Sequence, residues 1–150
     1  MNTRLKQFLD NHLHDHQTLF SEFHHYFVLD NFADIVAKKD FLRSLKETVE
    51  SSDMDIGKSY REIGPSIFAA LEHFDEGEYA QAVELLYPIR NRTAIAGGSN
   101  AQRDIFNLVL LHSAVHSNDN QHHELAKRLI NERCEMRGST KSKMMENYAN

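Results

Sequence analysis

Ten histidines are the side chains of this 150-residue sequence with the widest range of possible chemistry. His112 and His116 stand four residues apart, as do His12 and His16, and this spacing puts both rings of a pair on one face of a helix. Such a pair can share a metal ion such as zinc or iron. A hemerythrin-like or hydrolytic metal bundle is therefore one alternative, although no His-x-x-x-Glu element joins the pairs in the required order. The other alternative is that these histidines are packed in the core.

Nucleophilic and hydrolytic chemistry has weaker support. His14-Asp15 resembles the paired ligands of a phosphohydrolase, but the distant partners of that dyad cannot be identified, and a solvated turn explains the pair better. Cys134, Ser99 and Ser113 lack a base and an orienting group at a readable spacing, which a nucleophile requires. We therefore expect no catalytic residues and no cofactor.

A glycine turn before a helix is the best candidate for ligand binding. Gly97-Gly98-Ser99 precedes an apolar segment, and Gln102 follows Ser99 at the spacing of a capping box. Free backbone N–H groups at a helix start favour anions, and Arg90, Arg92 and Arg103 could clamp a carboxylate or phosphate. The alternative is architectural, in which the serine caps the helix and the arginines tie neighbouring helices together.

Helices must position these residues. Apolar side chains recur at helical spacing, and alternation typical of strands is scarce. Residues 105–115 are apolar on nearly every side, which predicts a helix buried between neighbours. Gly64-Pro65 predicts the end of one helix and the start of the next, with the proline in its first turn. Ser117–Asn120 predicts a turn, and a polar tail begins near Gly138.

Composition narrows the function classes. The length fits a single domain over residues 1–150. The net charge of −5 argues against general nucleic-acid binding. No apolar run approaches the roughly 20 residues of a membrane span, and a single cysteine excludes an internal disulfide framework. We expect a cytoplasmic protein without membrane or nucleic-acid partners.

A repeat with a displacement of 44 positions runs through the second half of the chain. One copy of the pattern is Ile67, Ala70, Leu71, Ala82, Leu85 and Leu86, and the other is Leu111, Ala114, Val115, Ala126, Leu129 and Ile130. Each copy reads as helix, tight turn, helix, which is the logic of stacked hairpins that bury one another's faces. Residues 20–49 predict a third, more degenerate hairpin, with residues 3–13 as a cap.

Several segments resemble the tetratricopeptide repeat protein 38 family. Ala69 to Arg90 is similar to that family's helix pair, and Gly97-Gly-Ser-Asn-Ala-Gln-Arg-Asp-Ile-Phe106 is closely similar to its "GGS.AQRD.F" signature. Phe20-Ser-Glu-Phe-His24 more loosely resembles an upstream F-x-D-x-H element, with Glu22 in place of the aspartate. The resemblance covers roughly residues 20–137 and only the C-terminal part of the usual family member. It implies an α-helical repeat protein without an assigned catalytic activity.

These observations together predict an all-α, tetratricopeptide-like superhelix of six or seven stacked helices that acts as a non-enzymatic module for a protein or peptide partner. The aromatic residues Phe20, Phe23, Tyr26 and Phe27 exceed what one small core needs and suggest a homodimer contact. The predicted ligand- or partner-binding residues are Arg90, Arg92, Ser99, Arg103 and His24.

Overall fold

A computed structural model of the chain describes residues 13–31, 35–50 and 52–137, and every regular element in these ranges is helical. The elements are α1 (Leu19–Asn31), α2 (Ile35–Glu50), α3 (Asp55–Asp75), α4 (Tyr79–Leu86), a 3₁₀ segment (Tyr87–Ala96), α5 (Asn100–His116) and α6 (Asn120–Arg137). The all-α class is confirmed. The predicted tail from residue 138 and nearly all of the predicted cap at residues 3–13 lie outside the described residues.

The chain divides into two compact units, and one division falls inside α3. The first unit contains the chain up to Pro65 together with Arg92–Ser99. The second unit contains Ser66–Asn91 and the chain from Asn100 onward. The single domain expected over the full length stays a prediction, and each unit is described separately below.

Helices α1 and α2 pack together in the first unit because each carries an apolar stripe at helical spacing. Phe41, Leu45 and Val49 recur every four residues on α2 and are fully buried. On α1, Phe23 and Tyr26 are buried as well. The core of this unit therefore contains two of the four aromatic side chains for which the sequence suggested a homodimer contact. The homodimer itself stays a prediction.

Gly64-Pro65 does not end a helix, contrary to the sequence-based expectation. Helix α3 runs without a break from Asp55 to Asp75 with the proline inside it. Proline removes one backbone hydrogen bond from a helix interior. Buried Ile63 and Ile67 lie on either side of the proline, so burial along one continuous apolar stripe outweighs that loss.

Helix α5 is the centre of the second unit, where it packs against both α4 and α6. Phe106, Leu110, Leu111 and Ala114 are buried, which confirms that this helix lies between neighbours. Several pairs of residues that lie 44 positions apart in the repeat are both buried. The buried positions that correspond are Ile67 and Leu111, Ala70 and Ala114, Ala82 and Ala126, and Leu86 and Ile130.

The two glycines before α5 both adopt a left-handed backbone, with φ of +88° at Gly97 and +73° at Gly98. Other residues rarely adopt two consecutive positive φ values, so the turn requires glycine. An added Cβ at Gly98 would lie 2.7 Å from Cδ2 of Phe20, whereas one at Gly97 would lie 3.9 Å from the nearest atom of that residue. Gly98 is thus needed for space as well as for conformation.

Candidate functional site

A groove of about 320 Å³ opens in the second unit and is lined by residues of the 3₁₀ segment, α5 and α6. Three of its lining residues are apolar: Leu111 is buried, Leu129 is half-buried and Met136 is exposed. Asn91 and Asn107 are exposed and add amide groups that both donate and accept hydrogen bonds. The groove therefore offers an apolar patch next to two exposed amide groups.

Two ion pairs lie along this groove and connect its walls. Both guanidinium nitrogens of Arg133 on α6 donate to the two carboxylate oxygens of Asp104 on α5. The pKa of Arg133 is raised, mainly by the hydrogen bonds to Asp104, although burial acts in the opposite direction. Arg90 donates to Glu132 over 2.8 Å and 3.4 Å. These two-pronged pairs fix the distance between the 3₁₀ segment, α5 and α6.

The three arginines predicted to clamp an anion each have a partner within the protein. Arg90 pairs with Glu132 in the groove, Arg92 pairs with Glu62 in the first unit, and Arg103 donates to the Asn100 side chain in the second. An anion would have to compete with each of these contacts. Arg90 lies in the groove of the second unit, whereas Arg92 belongs to the first unit.

The other two predicted binding residues lie in the first unit and are exposed. Ser99 directly precedes the first residue of α5 in the chain, as the capping interpretation expects. His24 donates from Nδ1 to the carbonyl of Phe20 over 3.0 Å, and its ring meets the Phe20 ring edge to face. The anion-binding interpretation of the glycine turn stays a prediction.

The histidine pair on α5 forms a stack. The rings of His112 and His116 lie 4.0 Å apart between centroids and are nearly parallel. Nδ1 of His116 donates to the carbonyl of His112 over 2.9 Å, which leaves Nε2 with the lone pair in the neutral ring. Burial, aided by the neighbouring His116, lowers the pKa of His112. Phe74 and Tyr79 contact the stack, as expected for packed histidines.

In the part of the chain that the structure describes, no third metal-ligating group joins this stack. Within residues 13–31, 35–50 and 52–137, the one set of three such groups with ligand atoms within 4.8 Å of one another is His73, Glu76 and Glu78. These residues lie at and after the end of α3, and both glutamates are exposed. His73 is already hydrogen-bonded to Glu78 over 2.6 Å. Among the described residues the stack thus has two potential metal ligands, and the metal-binding alternative stays a hypothesis.

A buried polar cluster in the first unit was not predicted. Glu22 on α1 is fully buried, and one of its oxygens accepts a hydrogen bond from Nδ1 of His16 over 2.8 Å. Nε2 of His16 lies 3.0 Å from Oγ of Ser44 on α2, which also lies 3.1 Å from Nδ1 of His14. His25 stands nearby, with Nδ1 3.7 Å from the carboxylate. Serine, histidine and glutamate are thus linked in one chain of hydrogen bonds.

Interactions within this cluster keep Glu22 ionised. Burial raises its pKa, but hydrogen bonding and charge from His16 and His25 together more than offset this effect, so the pKa lies below its usual value. The backbone of His16 has a φ of +43°, which is uncommon for a residue with a side chain. That conformation belongs to the turn before α1 that carries the imidazole into the interior.

The cluster escaped the sequence analysis because its members are far apart in the chain. The nucleophiles considered there were Cys134, Ser99 and Ser113. Of these, Ser113 is buried, and its hydroxyl makes no hydrogen bond among the described residues. Ser44 is 28 residues from His16. The available signals were a glutamate between Leu19 and Phe23 and the histidines His14 and His16, which the sequence suggested for other chemistry.

No family model matches the chain, and no solved structure matches it. Among the helices that the structure describes, none is long and apolar enough to cross a membrane.

Proposed function

We propose that the second unit of this protein acts as a non-enzymatic interaction module of tetratricopeptide type and that its groove binds an extended peptide segment of a cytoplasmic protein partner. The groove carries this proposal because it combines an apolar patch with two exposed asparagine amides. The 44-residue repetition and the "GGS.AQRD.F" resemblance support the repeat type. The single cysteine supports the cytoplasmic setting.

The chemistry of the groove selects an extended backbone with one apolar side chain. The amides of Asn91 and Asn107 make no hydrogen bond to another described residue, so they are available to pair with the N–H and C=O of a peptide. Leu129 and Met136 offer contact to an aliphatic or methionine side chain, and methionine adapts to different shapes. The paired charges leave the groove without a large net charge, so we expect no requirement for a strongly acidic or basic peptide.

Selection from a random peptide library tests this proposal. Peptides displayed on phage are selected against the whole chain, the enriched sequences are synthesised, and their Kd values are measured by fluorescence anisotropy. We expect enriched peptides to share an apolar residue. Replacing Asn107 by Ala or Met136 by Glu should weaken their binding by about tenfold or more, since loss of one buried contact is worth on the order of 1–2 kcal/mol.

A matched control separates loss of the groove from loss of the fold. Asn118 is an exposed asparagine of the same unit that does not line the groove, and Asn118→Ala should leave affinity unchanged. Failure to enrich any peptide, or equal affinity of the Asn107→Ala and wild-type proteins for every enriched peptide, would contradict the proposal.

The stack of His112 and His116 supports a second candidate function, metal binding. Two histidines four residues apart on a helix, with Nε2 of His116 holding a lone pair, provide two ligands for zinc or copper. Zinc binding measured calorimetrically on metal-free protein, and lost in His116→Ala, would support this alternative. Unchanged binding in that variant would exclude the stack as the site.

A further inference from the structure

With His16 as a neutral imidazole, the hydrogen bonds around Ser44 fit one placement of the protons in the cluster. The Glu22 carboxylate only accepts, so Nδ1 of His16 carries the proton that it donates over 2.8 Å. In the neutral imidazole Nε2 then holds the lone pair and accepts the Ser44 hydroxyl proton over 3.0 Å. Oγ of Ser44 in turn accepts from Nδ1 of His14. The order is carboxylate, imidazole, hydroxyl, which is the order of a serine nucleophile, its base and the group that orients the base.

The carboxylate end of this cluster is buried and the serine end is less so, as a serine nucleophile requires. The carboxylate and imidazole side chains are 0 % and 1 % exposed, so water does not compete for the bond that orients the base. Ser44 is only half-buried, and His14 beside it is exposed. Ser44 is therefore the less buried end of the chain of hydrogen bonds.

A second serine–histidine–glutamate chain in the same protein shows the opposite arrangement. Ser117, His122 and Glu84 in the second unit are linked over 2.8 Å and 3.0 Å. Here the serine is 4 % exposed, whereas the glutamate side chain is 75 % exposed. Oγ of Ser117 also accepts the backbone N–H of Asp119, which fixes the turn between α5 and α6. This second chain has a structural role and provides an internal control for the first.

We propose that Ser44 is an activated nucleophile with His16 as its general base and Glu22 as the positioning residue, and that it accepts the acyl group of a carboxylic ester or thioester. This activity goes beyond the peptide-binding function and does not depend on it, because every residue involved belongs to the first unit.

The reaction balances with water as the only co-reactant. Oγ of Ser44 forms a bond to the acyl carbon while its proton moves to Nε2 of His16. The bond from the acyl carbon to the alcohol or thiol then breaks, and the leaving group takes that proton. Water next attacks the acyl-serine and passes a proton to His16. The imidazole returns that proton to the serine oxygen as the carboxylic acid leaves.

An alkyl fluorophosphonate tests the activation of Ser44 directly. The serine oxygen displaces fluoride from phosphorus, and intact-mass and peptide-mapping measurements locate and time the adduct. We expect a single adduct on Ser44. Ser117 should react far more slowly in the same sample, because it is only 4 % exposed and the probe has little access to its hydroxyl. Ser21, which is half-buried and bonded through Oγ to the Thr18 carbonyl and to Oε1 of Glu22, should also remain unlabelled.

Two variants separate activation from simple access. His16→Gln retains an amide that can bond to Glu22 but removes the base, and the labelling rate should fall by at least about 100-fold. Ser59→Ala, at a half-buried serine of the same unit, is the matched control and should label like wild type. Acetyl transfer from p-nitrophenyl acetate to Ser44, absent in Ser44→Ala, checks the acyl step.

Two results would overturn the proposal. One is labelling of Ser44 no faster than labelling of Ser117 or Ser21, a comparison that uses only the wild-type protein and so does not depend on a variant folding. The other is an unchanged rate in a folded His16→Gln protein, with the fold verified by circular dichroism.

Discussion

Glu22 brings a negative charge into the core of the first unit, where an unpaired charge would be strongly destabilising. His16 and His25 make its ionised form the favoured one, with Ser44 completing the hydrogen bonds of the imidazole. The residue therefore links stability to chemistry, since the contacts that allow its burial are also those that would orient a base.

Because the folded pKa of Glu22 lies below its usual value of about 4.5, its stabilising contribution is complete above the unfolded-state pKa and is lost as the pH falls through the folded-state pKa. We expect Glu22→Gln to lower the free energy of unfolding by about 2 kcal/mol at pH 7, in the range for disruption of a buried polar contact. That difference should shrink as the pH is lowered below about 4.5. Urea unfolding of both proteins at pH 7 and in steps below pH 5 measures this difference in the free energy of unfolding.

Ser44→Ala is the control for this experiment because it preserves the carboxylate and its contact with His16. It should retain the acid sensitivity of the wild type. A difference between Glu22→Gln and wild type that is constant from pH 7 to pH 3 would contradict the assignment of a lowered pKa.

At the scale of elements, the turn before α5 depends on two glycines for different reasons. Gly97 and Gly98 both need a left-handed backbone, but only at Gly98 would a side chain meet the Phe20 ring. We expect Gly97→Ala to lower the free energy of unfolding by about 1–2 kcal/mol, because a residue with a Cβ is disfavoured in the left-handed conformation by that amount. Gly98→Ala should cost more, because the ring must also move.

Thermal and urea unfolding of the two variants measure this difference, and Phe20→Leu in the background of Gly98→Ala tests its source. Removing the ring should recover part of the extra loss in Gly98→Ala but none of the loss in Gly97→Ala. Equal destabilisation by the two alanines would show that contact with Phe20 has no energetic effect.

The helices and turns also show which features of the structure could be predicted from the sequence. The apolar run of α5 and the turn at residues 117–119 were predictable, because local burial and turn chemistry decide both. The continuity of α3 through Pro65 was not, because packing of the buried isoleucines on either side outweighs a local breaking signal. The contact of His16 with Ser44 was also out of reach, since it joins the turn before α1 to a position on α2.

For the whole molecule, the important feature is that the two candidate sites use different sets of residues. The peptide groove is built entirely from residues of the second unit, and the Ser44 cluster entirely from residues of the first. Mutations at sites that share no partners usually have additive effects. A change in either site should therefore leave the function of the other intact.

A crossed set of variants tests this independence. Ser44→Ala should bind the selected peptides with wild-type affinity, and Asn107→Ala should react with the fluorophosphonate at the wild-type rate. The double variant should show both losses, each within about 0.5 kcal/mol of its value in the single variant. Loss of peptide affinity in Ser44→Ala, or slowed labelling when saturating peptide is added to wild-type protein, would instead show that the two sites are energetically coupled.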